Sequence, residues 1–162
     1  MNDENEVRTK QAKRWPSGWV IAALIFAIVL LQWSSLKELY YNVAGIDAAE
    51  SPIKWQHDLD AALISAKNKQ RPVLLVFGAS WCPPCKKMKR DVWPDPQVAE
   101  FVESNFVPLY VDVDDRSQAE LSTRYSVSSI PAVFVLDSEG AAVDKRSSMS
   151  ASATLAFLKS AL

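Results

Sequence analysis

Glycine is scarce in this chain, with four residues in 162. None of the four belongs to a Gly-rich phosphate loop, so nothing offers the cradle of backbone amides that a nicotinamide or flavin cofactor needs, and no such cofactor is expected. Histidine occurs once. His57 has no second ligand nearby in sequence and reads as a surface residue, neither metal ligand nor catalytic base. Cysteine occurs twice, which permits one disulfide and cannot supply a four-cysteine zinc site, so no metal is expected. An excess of one charge is missing too: 18 Lys and Arg stand against 19 Asp and Glu, and no basic patch marks a nucleic-acid partner. No internal repeat or low-complexity tract is visible.

What is present is apolar. Hydrophobic residues make up 49% of the chain, enough for one core, and the length allows one domain plus extras. Residues 1–14 are polar and charged and read as a cytoplasmic tail. Trp19 to Leu31 is an unbroken apolar run. Extended from Trp15 to Trp33 it gives about 28 Å of helix, close to the roughly 30 Å hydrocarbon core of a bilayer. Trp15, Trp19 and Trp33 suit the two interfaces, and Arg8, Lys10, Lys13 and Arg14 precede the run while only Lys37 follows closely. The positive-inside rule then keeps the N-terminus in the cytoplasm and exports everything after Trp33. A cleaved signal peptide has the same charge pattern, but its best cleavage site, Val43-Ala44-Gly45, lies late. A buried helix of a soluble domain is the third reading, and the run has no polar face to support it. The expected organisation is a signal-anchor helix over 15–33, a juxtamembrane linker over 34–51 and one domain over 52–162.

Within that domain, Leu59, Ala62, Leu63 and Ala66 recur at helical spacing, with Asp58 as N-cap. Val73 to Phe77 is short and uniformly apolar, the pattern of a central strand covered on both faces. Asp95 and Pro96 read as the N-cap and first residue of a helix carrying Val98, Phe101 and Val102. Phe106 to Val113 is a strand with Pro108 near its start. Asp114 to Tyr125 is a short helix with Leu121 facing in. Ala132 to Leu136 and Ala141 to Val143 form a hairpin, and Ser150 to Leu162 a closing amphipathic helix. A β-α-β order followed by β-β-α gives an α/β sandwich.

The two cysteines stand three apart in Trp81-Cys82-Pro83-Pro84-Cys85-Lys86, between the first strand and a helical stretch. A strand ending just before such a pair sets the first sulfur at a helix N-terminus, where unpaired amides and the dipole favour a thiolate. Pro83 and Pro84 fit the first turn, where a proline forfeits little. Cys82 therefore reads as the exposed nucleophile and Cys85 as its resolving partner one turn inward. A bridge closing so small a loop removes little chain entropy and is a poor structural staple.

The segment Phe77 to Lys86 resembles the active-site region of the thioredoxin superfamily, and Ser129-Ile130-Pro131-Ala132 followed by Val133-Phe134-Val135-Leu136 resembles its second landmark. The resemblance covers roughly Ile53 to Leu162. It implies a thioredoxin-like fold, a central mixed β-sheet flanked by helices, with a cis Ile130–Pro131 bond facing the disulfide. It also implies that the Ile130 backbone pairs with an extended substrate peptide and that Trp81 covers the disulfide and meets partners. Asp91-Val-Trp-Pro-Asp-Pro-Gln-Val98 is similar to a subgroup that includes the C-terminal periplasmic domain of the reductant carrier DsbD. One departure stands out. Thioredoxins commonly carry a buried Asp six residues before the first cysteine, and here that residue is Val76; Asp91, Asp112 and Asp114 are substitutes conceivable only in three dimensions. Lys86, Lys87, Lys89 and Arg90 read as a solvated helix face.

The resemblance thus implies a thiol–disulfide oxidoreductase that reduces protein disulfides through Cys82 and Cys85, with no cofactor beyond that pair. It implies a membrane electron donor of the DsbD type, and a bacterial inner-membrane location with the domain in the periplasm. The alternatives are a disulfide oxidase or isomerase, and a copper-handling protein that would need a third ligand from His57, Met88 or Met149.

Overall fold

A computed structural model of the chain describes residues 18–32 and 51–162; the chain divides into two units, before and after Ile46. In the first unit, helix α1 spans Gly18–Leu31, 14 residues with no buried side chain. Among the described residues no helix is long and apolar enough to cross a membrane. The expected span over 15–33 is longer than this helix, whose 14 residues rise only about 21 Å. Trp15, Trp33, the tail over 1–14 and nearly all of the 34–51 linker lie outside the described residues.

The second unit is built on strand β1, Val73–Gly78, in which every residue is buried. Successive side chains point to opposite faces, and both faces are apolar: Leu74 and Val76 join one core cluster, Val73, Leu75 and Phe77 the other. Strand β2 (Val107–Asp112) pairs with β1 in parallel, and β3 (Ala132–Leu136) pairs with it antiparallel on the other side. Strand β4 (Ala142–Arg146) adds to β3, giving a mixed four-stranded sheet in the order β2-β1-β3-β4. The outer edge of β2 is covered by the segment after Ser51. Gln56 donates its amide to the Pro108 carbonyl (2.9 Å) and accepts from the Tyr110 amide (2.9 Å).

Helix α2 (Leu59–Lys69) covers one face with Leu59, Ala62 and Ala66; its N-cap is Asp58, whose carboxylate accepts from the Ala61 amide. The other face carries α3 (Pro83–Asp91), α4 (Pro96–Asn105) and α6 (Ala151–Ser160) through Met88, Val98, Val102, Phe157 and Leu158. Two elements differ from the sequence reading. The segment after Asp114 is a 3₁₀ turn over Arg116–Gln118 followed by α5 (Ala119–Arg124), because the Asp115 carboxylate caps the turn by accepting from the Ser117 amide. The last strand runs to Arg146 where the sequence reading stops at Val143, since pairing with β3 holds Asp144, Lys145 and Arg146 in the sheet despite their polarity. Lys145 lies over the Phe134 ring and Arg146 over the Phe157 ring, so their stems cover apolar surface while their charges reach water. Gly140, with φ of 83°, supplies the left-handed residue of the hairpin turn.

Candidate active site

β1 ends at Gly78, and four residues later the chain turns into α3. Cys82 is the N-cap: its backbone is extended (φ −82°, ψ 110°) and its Sγ accepts a hydrogen bond from the Cys85 amide at 3.2 Å. Pro83 and Pro84 fill the first turn, where their missing N–H groups cost little. The same orphan amides and helix dipole that hold a sulfur here stabilise it further when it carries charge. Cys82 and Cys85 form a disulfide with Cα atoms 5.2 Å apart.

The Ile130–Pro131 peptide bond is cis, and the Ile130 carbonyl oxygen lies 3.7 Å from Cys82 Sγ. In the disulfide that sulfur has no proton to donate; a reduced Cys82 thiol in the same position would. Here the sequence reading needs a correction. Cys82 was expected as the exposed sulfur, yet it is 2% exposed against 8% for Cys85. Its Sγ is turned toward the Ile130 loop, and both cysteines pack with Ala79 against Ile130 and Val113. Trp81 is the exposed member of the site at 61%, so it is no core aromatic. Its indole Nε1 donates to Asp114 Oδ2 at 2.7 Å, fixing the ring beside the disulfide. This partnership spans 33 residues, and its only local sign is the acidic run after β2.

Val76 is buried within the apolar cluster, so no carboxylate stands there. The three conceivable substitutes are otherwise engaged. Asp91 pairs with Arg90 at the far end of α3, Asp112 accepts from the Asp114 amide, and Asp114 holds Trp81. Lys86, Lys87 and Lys89 are exposed along α3. His57 is exposed, with Nδ1 3.1 Å from the Tyr110 carbonyl oxygen. Met88 is buried in the core, and among the described residues no group of three His, Cys, Asp or Glu could hold a metal ion.

Tyr110 was not singled out from the sequence. It packs against the cluster beneath α3 in a set of edge-on aromatic contacts, Trp55 to Trp93 at 5.3 Å and Trp55 to Tyr110 at 6.1 Å. Burial, and secondarily the Asp112 carboxylate, push its phenol above the ordinary 10.0, so it is a neutral donor at physiological pH. Chemically, the site offers two sulfurs that can pass between dithiol and disulfide, a helix end that favours a thiolate, and a backbone carbonyl and an indole beside them.

Comparison with known proteins agrees with this geometry. A family model described as thioredoxin-like matches residues 54–138. The thiol:disulfide interchange protein DsbD of Escherichia coli K12 is 25% identical over 142 residues, covering 83% of this chain and 24% of that protein. The chain thus spans about a quarter of the length of such relatives. Among solved structures, a DsbH oxidoreductase aligns over 72% of this chain and 88% of its own (25% identity, TM-score 0.62). The oxidised C-terminal domain of Neisseria meningitidis DsbD aligns over 67% of this chain and 99% of its own (25% identity, TM-score 0.58).

Proposed function

The chain belongs to the thioredoxin-like family, with thiol–disulfide exchange at Cys82 and Cys85 as its chemistry, and from that premise we propose that it reduces protein disulfides. The observation that carries the reading is the Cys82–Cys85 bridge at the start of α3, with Cys82 Sγ against the Ile130 carbonyl. In the proposed cycle the reduced Cys82 thiolate attacks a substrate disulfide, forming a mixed disulfide and releasing one substrate thiolate. Cys85 then attacks Cys82 Sγ, the second substrate sulfur leaves, and the chain is left oxidised. Two electrons from a donor reset it. A membrane carrier of the DsbD type fits that role, since the chain has no phosphate-binding loop for nicotinamide or flavin.

Trp81, Pro83, Pro84, Ile130 and Pro131 shape the site in this reading. Ile130 pairs with an extended stretch of substrate, and Trp81, held by Asp114, meets the partner's surface. An apolar α1 with no buried side chain and four basic residues before it support an uncleaved membrane anchor, with the domain on the far side from the N-terminus.

The test is reduction of a disulfide-bonded protein by the purified full-length chain with a small dithiol as electron source. Turnover is expected for wild type and none for Cys82→Ser; equal turnover by both would overturn the reading. For the anchor, the chain is expected to stay with membranes after alkaline extraction, with its C-terminal part open to protease only from the exported side. Release into the soluble fraction at full mass would contradict it.

A further inference from the structure

β3 enters the sheet directly after the loop that touches the disulfide. Its pairing with β4 runs from Leu136 opposite Ala142 to Val133 opposite Arg146, and there the backbone register ends. The next link is made by a side chain: the Ser147 hydroxyl donates to the Pro131 carbonyl at 3.1 Å. Pro131 is buried, and Ser147, exposed, reaches in to it from the end of β4. On the other side Ala132 pairs with Phe77 of β1, so the Pro131–Ala132 peptide is held from both flanks. Ser147 is itself pinned by its neighbours. Before it, Arg146 lies over the Phe157 ring of α6 at 5.2 Å. After it, Met149 packs against the core and Ser150 caps α6 by accepting from the Ala153 amide at 3.3 Å. Beyond Pro131 stands Ile130, whose carbonyl oxygen lies 3.7 Å from Cys82 Sγ. The pyrrolidine ring fixes φ of Pro131 and the peptide units are planar. A single soft torsion, ψ of Pro131, therefore joins the carbonyl that Ser147 grips to the carbonyl beside the sulfur.

Resting on the reductase reading above, we infer that Ser147 is a positioning residue for substrate: by holding the Pro131 carbonyl it fixes the Ile130 backbone against which an extended peptide pairs beside Cys82. The substrate class this favours is a disulfide carried on an extended stretch of polypeptide. When a peptide adds to a strand, main-chain hydrogen bonds supply the affinity, and they are worth most when the receiving backbone is already in place. A loop free to turn about ψ of Pro131 would lose that freedom on binding and so bind more weakly. Ser147 contacts neither sulfur; it acts through Pro131. Ile130 also packs on the redox cluster and on the core cluster that holds Phe77, so removing the hydroxyl loosens the loop without displacing it. A small disulfide with no peptide backbone makes no such pairing, and its reaction with Cys82 is independent of Ser147.

The test compares the full-length wild type with Ser147→Ala, which removes only the hydroxyl, and Ser147→Thr, which keeps one. Each reduces insulin with a small dithiol as electron source, and each reacts in its reduced form with 5,5′-dithiobis(2-nitrobenzoate), a disulfide without a peptide backbone. For Ser147→Ala the KM for insulin is expected to rise about threefold or more, the scale of one neutral hydrogen bond, with kcat changed by less than about twofold, the pattern of lost substrate binding. Its rate with the small disulfide should match wild type, and Ser147→Thr should restore the KM. Insulin kinetics of Ser147→Ala that coincide with wild type would overturn the inference. So would equal slowing with insulin and the small disulfide, which would make the serine scaffold alone, and so would a threonine variant no better than alanine. A wild type that reacts with the small disulfide yet never turns over insulin would remove the reductase reading itself, and the inference with it.

Discussion

Two helices lie next to each other in this chain and begin in the same way, with proline in the first turn and an acceptor at the N-cap. At α4 the acceptor is the Asp95 carboxylate, which takes the Gln97 and Val98 amides at 3.0 and 3.1 Å. At α3 it is the Cys82 sulfur, which takes the Cys85 amide at 3.2 Å. The first cap is a carboxylate and does nothing but begin a helix. The second is a weak neutral acceptor in the disulfide and a strong charged one in the thiolate. The difference teaches how the site works: an ordinary piece of helix-capping physics becomes redox chemistry when the capping atom can gain or lose charge.

The largest break in this comparison is at the sulfur cap. Cys82→Ser preserves a capping oxygen and so the helix, yet it should abolish disulfide reduction. Cys85→Ser should leave the first attack intact and trap mixed disulfides with substrate, visible as covalent adducts on a non-reducing gel. Asp95→Ala sharpens the contrast from the other side. It should cost about 1 kcal/mol of stability, the usual worth of a carboxylate N-cap, with thiol–disulfide exchange unchanged well below the unfolding midpoint; denaturant unfolding and a turnover assay together check it.

The two caps were not equally legible beforehand. Asp95-Pro96 and Asp58 are local signals, since the acceptor, the proline and the amides it satisfies lie within three residues, and both were placed correctly. So were the strand boundaries on either side of the redox loop, to within a residue. The meeting of Ile130 with the disulfide, 48 residues along the chain, was legible only through the resemblance, and the deeper burial of Cys82 than of Cys85 was not legible at all. Neither was the Trp81–Asp114 bond, nor the bond from Ser147 to Pro131, which arises only when β4 pairs with β3. β4 was cut short for the same reason: its last three residues are polar, and only the neighbouring strand reveals them as sheet.

A smaller effect is expected at Asp114→Asn. The amide still offers an oxygen to the Trp81 indole but without charge, so the ring should loosen and KM for a protein substrate rise a few-fold with kcat little changed. Steady-state kinetics at several substrate concentrations separate the two. The smallest effect concerns alkaline pH. Burial raises the phenols of Tyr110 and of Tyr125, whose hydroxyl donates to the Gly140 carbonyl, above 10.0. A raised folded-state value means that the folded chain holds its phenolic protons longer than the unfolded one. Stability is then fully present below 10 and falls as pH climbs through the raised values. Tyrosinate absorbance in the folded protein should therefore lag that of the unfolded chain, and Tyr125→Phe should reduce the lag.

Reduction by this pair requires that the disulfide stay the favoured form although the helix end beside Ile130 stabilises a Cys82 thiolate, which on its own raises the potential, and the equilibrium potential of Cys82–Cys85 tests that direction most directly. Thioredoxin and the oxidant DsbA lie about 150 mV apart, roughly 7 kcal/mol for two electrons, so the two outcomes separate cleanly. The purified full-length chain, equilibrated with a thiol–disulfide buffer of known poise, is expected to titrate near the thioredoxin end. A potential near that of DsbA would contradict the account and make the same site a donor of disulfides.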